Sequence, residues 1–324
     1  MAVFDLSLDQ LRQYQGVNPR PSDFDTYWRK VLKEVDGLGV DCELEPEDFP
    51  APGVLCYHMY FTGIGGARIH GKLLRPEKIT GRIPGVCVFH GYHHFCGSWF
   101  ERLPFVYSGM AVLALDTRGQ GGCSEDVSCG GDTETLYGQI LRGAACAAPE
   151  KLLYRSIYAD CVQAVRILKA MPFVDETRIG LTGNSQGGGL SVACAALEPV
   201  KRIAVIYPFL SDFKRVWQMD LCNASNAYRQ FWWHFRKKDP FHQREDELWE
   251  RLGYIDIQHH APHIQAQVLW FTGMMDQICP PSTQFAAYNK IPGEKEMRIL
   301  PDYGHEMDMF PFVDDLIYRF LQEL

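Results

Sequence analysis

The sequence predicts an α/β fold: a doubly wound, mostly parallel sheet, preceded by a helical arm over residues 1–40 and interrupted by a helical insertion over 209–265, all in one domain spanning 1–324. Three observations predict it. Short, near-continuous apolar runs alternate with helical patterns, as parallel strands covered on both faces require. One run ends in Gly183-Asn184-Ser185-Gln186-Gly187, which reads as a strand, a tight turn and a helix. One gap between runs, rich in tryptophan and phenylalanine, is too long for a single crossover helix.

In chain order, Ser22-Asp23-Phe24-Asp25 resembles a capping box with Asp in the fourth place, opening an amphipathic helix over 26–35. The aromatic and β-branched runs 54–62 and 68–74, joined by Gly63-Ile64-Gly65-Gly66, read as a hairpin leading into the sheet. Buried parallel strands are expected at 85–90, 111–116, 178–182, 202–207, 267–272 and 296–300. Helical patterns cover 158–171, 186–197, 281–289 and 312–324, so βα alternation is expected throughout. The insertion carries Trp217, Phe231, Trp232, Trp233, Phe235 and Trp249. These rings either floor a sugar-binding cleft or pack the insertion onto the body or another subunit, and packing is the commoner use.

The 324 residues, 46% hydrophobic and 22% charged, are those of a soluble globular protein with room for a large core. A formal charge of −8 argues against nucleic acid as a partner. Residues 1–9 lack a basic start and a long apolar run, and no later stretch is apolar enough to span a bilayer, so a cytoplasmic protein with no membrane partner is expected. Eleven cysteines without paired spacing fit reduced thiols, most of them small core residues. Asn223-Ala224-Ser225 matches a glycosylation acceptor, which has meaning only with export.

A serine nucleophile needs a base, a carboxylate to orient that base, and donors for the oxyanion of the tetrahedral intermediate. Asp276 follows the strand at 267–272 and His305 follows the next one, both beyond strand C-termini, where open α/β sheets collect their sites. Singly, Asp276 reads as a helix cap and His305 as a loop histidine. Jointly with Ser185 they give the order Ser, Asp, His of the α/β-hydrolase fold. The oxyanion donors expected are the backbone N–H of Gln186 and that of Tyr92, in the loop after the strand ending at His90. Arg118 is expected to tie loops together. His90-x-x-His93-His94 and His259-His260-x-x-His263 have spacings a zinc site uses, but neither is joined by Cys pairs, clustered carboxylates or a His-Glu-x-x-His helix, and no metal or organic cofactor is expected.

Arg118-Gly119-Gln120, Gly183-x-Ser185-Gln186-Gly187, Asp276-x-Ile278-Cys279-Pro280-Pro281-Ser282-Thr283 and His305-Glu306 together resemble carbohydrate esterase family seven, the acetyl xylan esterases and cephalosporin C deacetylases. The similarity runs from Pro21-x-x-Phe24-Asp25-x-x-Trp28 through Gly131-Asp132-Thr133 and Tyr207-Pro208-Phe209-Leu210 to the histidine loop. It implies a Ser185, His305, Asp276 triad, oxyanion donors at Tyr92 and Gln186, and a small acyl pocket walled by Tyr92, Pro208 and Ile278. It also implies a small acetylated carbohydrate as substrate and a homo-oligomer, a ring-shaped hexamer, with a protruding loop between Gly130 and Tyr154. The chain departs from the pattern at the bulkier His93-His94-Phe95-Cys96-Gly97, at Gly304, and at Cys123, where a small polar residue is expected. The alternative on the same fold is a broader short-chain carboxylesterase, a thioesterase or a peptidase.

Overall fold

The computed structural model describes residues 4–128, 139–144, 148–223 and 226–324. The motif Gly131-Asp132-Thr133 lies outside them, as do parts of the 130–154 loop and of Asn223-Ala224-Ser225. Two helices open the chain, α1 (Leu8–Leu11) and α2 (Phe24–Asp36). Strands β1 (Glu43–Glu47), β2 (Val54–Thr62), β3 (Arg68–Pro76) and β4 (Ile83–Phe89) follow, then α3 (Leu103–Tyr107), β5 (Ala111–Leu115), α4 (Leu153–Ala170), β6 (Val174–Asn184), α5 (Gln186–Leu197) and β7 (Arg202–Ile206). The insertion folds as α6 (Phe213–Gln218), α7 (Arg229–Lys237), α8 (Glu245–Gly253) and α9 (Ile257–His260). The chain closes with β8 (Gln267–Gly273), α10 (Pro281–Tyr288), β9 (Lys295–Leu300) and α11 (Phe310–Gln322).

The nine strands of the described residues form one sheet in the order β1-β2-β3-β5-β4-β6-β7-β8-β9. From β5 to β9 in that order every pairing is parallel; the strands from β5 to β8 are buried under α4 and α5 on one face and α11 on the other, and β9 forms a partly exposed edge. The expectation of βα alternation throughout is corrected at the N-terminal edge, where β1, β2 and β3 pair antiparallel and β3 runs antiparallel to β5. Two of those strands are the expected hairpin. The third, β1, has no apolar run to announce it: Glu-Leu-Glu-Pro-Glu is a charged, largely exposed edge strand, a composition that protects a sheet edge from pairing further.

The expected capping box is also corrected. The residue before α2 is Asp23, which makes no capping hydrogen bond, because its carboxylate instead accepts the Tyr254 hydroxyl proton across the interface with the insertion. A capping box does form one helix earlier, where Ser7 and Gln10 bond reciprocally. The arm packs as the sequence suggests. Trp28 stacks on Tyr158 of α4 at 5.7 Å and donates its indole N–H to Tyr254 O, while Asp212 in the insertion accepts from Val17 N, Asn18 N and the Tyr14 hydroxyl. Among the described residues no helix is long and apolar enough to cross a membrane.

Candidate active site

Ser185 sits between the end of β6 and the first turn of α5, in a conformation that side chains rarely adopt (φ 53°, ψ −117°). Its N–H donates to Ile206 O, and its carbonyl accepts from Gly189 N and Phe209 N, so the surroundings hold the strained residue in place. The two flanking glycines are required sterically. A Cβ on Gly183 would fall 2.5 Å from the Gly187 carbonyl carbon, and one on Gly187 would fall 1.9 Å from Phe89 O. The turn therefore closes against the end of β4, with Ser185 at the C-terminal edge of the sheet.

Asp276 and His305 come from the loops after β8 and β9. Those loops are pressed together: a Cβ on Gly273 would lie 2.4 Å from Tyr303 O, and Met275 N donates to Tyr303 O. Asp276 is fully buried, and its Oδ1 accepts from the backbone N–H groups of Ile278 and Cys279 at 2.8 and 2.7 Å. It does not cap α10, which begins at Pro281. Its Oδ2 lies 2.8 Å from His305 Nδ1, and His305 Nε2 lies 3.1 Å from Ser185 Oγ. With a carboxylate on Nδ1, that nitrogen carries the proton and Nε2 offers its lone pair to the serine hydroxyl. The ring of Tyr207, 4.1 Å away between centroids, covers the imidazole, a neighbour that nothing in the sequence pattern disclosed.

Among the hydrogen bonds of the described residues, neither Tyr92 N–H nor Gln186 N–H has a protein acceptor. Their segments are joined by an amide pair that sequence reading missed. Gln120 Nε2 donates to Gln186 Oε1 at 2.7 Å, Gln186 Nε2 donates back to Gln120 Oε1 at 3.0 Å, and that oxygen also accepts His93 N–H at 2.9 Å. Tyr154, missed as well, donates its hydroxyl proton to Gln186 Oε1. Arg118 is the scaffold expected of it, binding Asp160 through two 2.6 Å hydrogen bonds and reaching Ile64 O.

The remaining expected residues follow strand ends: Tyr92 comes after β4, Pro208 after β7 and Ile278 after β8. Pro208 is buried against the first turn of α5, where a Cβ on Gly188 would meet its ring at 3.1 Å, and Ile278 is half-buried beside Asp276. The half-buried ring of Tyr92 packs on Phe209, and Phe209 packs on Tyr228. A thiol the sequence did not single out, that of the buried Cys279, comes within 4.8 Å of the donor atoms of Asp276 and His305. The insertion aromatics divide: Phe231, Phe235 and Trp249 are buried packing, whereas Trp217, Trp232 and Trp233 are half-buried. His259 and His260 face the backbone carbonyls of Pro19 and Tyr254 and pack against Phe24.

Comparison with known proteins fits this geometry. The model of the family described as acetyl xylan esterase (AXE1) matches residues 1–324. The crystal structure of acetyl xylan esterase 1 from a Thermoanaerobacterium species is 47% identical, with a TM-score of 0.93 over 99% of each chain. An acetyl xylan esterase from a Paenibacillus species is 32% identical, with a TM-score of 0.91 over 98% of this chain and 99% of that one. Acetyl esterase Axe7A of Xylanibacter ruminicola is 26% identical over 293 residues, 88% of this chain and 63% of its own length, so this chain spans less than two thirds of that relative. The chain belongs to the acetyl xylan esterase family, AXE1, a family of carboxylic ester hydrolases.

Proposed function

We propose that this protein is a serine esterase that removes acetyl groups from small carbohydrates, acetylated xylo-oligosaccharides among them, and from the acetoxymethyl group of cephalosporin C. One observation carries the reading: the unbroken hydrogen-bonded series from Ser185 Oγ through His305 to the buried carboxylate of Asp276. His305 Nε2 takes the hydroxyl proton as Oγ attacks the acetyl carbonyl, and Asp276 holds the imidazole in the tautomer that makes this possible. Negative charge that develops on the carbonyl oxygen is received by the N–H groups of Tyr92 and Gln186, at the N-terminus of α5. His305 then returns the proton to the departing sugar hydroxyl. Water attacks the acetyl-enzyme by the same route in reverse.

The aromatic packing of Tyr92 on Phe209 and of Phe209 on Tyr228, with Pro208 and Ile278 beside it, supports an acyl pocket sized for acetyl. The same family likeness supports a ring-shaped homo-hexamer as the working assembly. Replacing Ser185 with alanine is expected to lower kcat on 4-nitrophenyl acetate by roughly 10⁶-fold, as loss of a triad serine does elsewhere. A variant that keeps a near-native rate removes the reading. Acetyl, butyryl and octanoyl esters measured side by side separate it from a general carboxylesterase, which would accept all three.

A further inference from the structure

A second cluster of ligating side chains lies away from Ser185, on the antiparallel side of the sheet. His70 on β3 and Asp116, just beyond β5, are both buried, and His70 Nδ1 is 2.6 Å from Asp116 Oδ2. The donor atoms of His70, Asp116 and the exposed Cys123 all lie within 4.8 Å of one another. The loop holding Cys123 presses on the carboxylate, for a Cβ on Gly122 would fall 2.0 Å from it. Two backbone groups orient that carboxylate: Cys96 N–H donates to Oδ1 at 2.6 Å, and Cys123 N–H donates to Oδ2 at 2.9 Å. On its far side, His70 Nε2 contacts His58 Nδ1 at 2.8 Å, and His58 Nε2 faces Glu47 Oε2 at 3.3 Å.

We propose that His70 Nδ1, Asp116 Oδ2 and Cys123 Sγ bind a divalent transition-metal ion of the zinc type. One thiolate, one imidazole and one carboxylate form a donor set that zinc accepts, with bonds of about 2.0–2.3 Å and a fourth position left to solvent. The ion takes the position of the Nδ1 proton between His70 and Asp116, and the contact of His70 Nε2 with His58 Nδ1 at 2.8 Å is the outer support a ligating histidine uses. Binding releases the Cys123 thiol proton to solvent, the two rings exchange tautomers, and no oxidation state changes. The ion fastens β3 to the loop after β5 and, through Cys96 N–H, to the segment that follows Tyr92. Its role is to stiffen the fold, and it touches no reacting group.

The test is a Co²⁺ titration of chelator-treated protein. The expected result is a thiolate-to-cobalt absorption band that saturates at one equivalent, is lost on adding Zn²⁺, and is accompanied by a Tm higher by a few degrees. Cys123→Ser, at an exposed position, is expected to abolish both the band and the Tm gain while keeping the Tm of the metal-free protein. His70→Gln is expected to abolish the band as well. Cys279→Ser is the control for the other thiol-bearing cluster, Asp276, Cys279 and His305, and is expected to retain the band. A band that survives in Cys123→Ser, a band lost only in Cys279→Ser, or no saturable binding in the native chain would each overturn the proposal. None of these readouts depends on esterase activity.

Discussion

At the scale of single residues, the site is governed by steric exclusion and by what a buried side chain can be charged against. Gly187→Ala places a methyl group inside contact distance of Phe89 O. Relief requires the elbow to open, so the esterase rate on 4-nitrophenyl acetate is expected to fall by at least roughly 100-fold, the scale of a lost oxyanion donor. Thermal denaturation of the same variant should show a lowered Tm. His260 illustrates the electrostatic side. Burial pushes its pKa down to about 3, against about 6.5 for an unfolded histidine. Stability from keeping it neutral is therefore complete above about pH 6.5 and is lost as pH falls toward 3, by about 1.4 kcal/mol per pH unit. The neighbouring Asp256 works in the opposite sense: burial and Asp212 push it up to about 7, so its protonated form loses its benefit as pH rises toward that value. Urea unfolding at pH 7.0 and 5.5 should thus show a weaker acid loss for His260→Gln than for the native chain. Equal losses in the two proteins would refute the assignment.

Elements are positioned by contacts between segments far apart in sequence, which is where sequence reading was least complete. The amphipathic pattern announced α2, but only the structure gives its partners, Tyr158 in α4 and the Tyr254 carbonyl. Trp28→Ala removes a side chain that is 3% exposed, and a loss of about 3–5 kcal/mol in unfolding free energy is expected by denaturant titration. Arg118, in the loop after β5, binds two further segments, since Asp160 belongs to α4 and Ile64 to the turn between β2 and β3. Arg118→Met would leave the Asp160 carboxylate buried and unpaired, at a cost of about 3–5 kcal/mol. Strand β1 stayed hidden because its stability comes from backbone pairing with β2, register Glu43↔Tyr60 to Glu47↔Cys56, and not from an apolar face. The insertion was legible as a gap too long for one helix. Its division into α6 to α9 is set by packing of Phe231, Phe235 and Trp249, whose spacing alone does not say which rings turn inward.

For the whole molecule, the proposed hexamer is checked by light scattering, where a mass six times the 37.0 kDa chain is expected at micromolar concentration. A monomer mass would remove that part of the reading. The sequence by itself determined the parallel core strands, the elbow around Ser185, the two loops bearing Asp276 and His305, and the chemistry those residue types permit. Each of these is written in local signals: runs of apolar residues, glycines where a Cβ cannot fit, and polar residues just past strand ends. Tertiary structure alone decided that the N-terminal edge turns antiparallel, that Asp23 serves Tyr254 and not its own helix, and that Gln120 and Tyr154 meet Gln186. It also decided the grouping of His70, Asp116 and Cys123, residues 46 and 7 positions apart in sequence that the register of β3 on β5 brings together. The physical reason is the same in each case. Local patterns record how a segment buries its own apolar face, whereas the partner of a polar side chain is fixed only when distant segments have packed and each buried donor has found an acceptor.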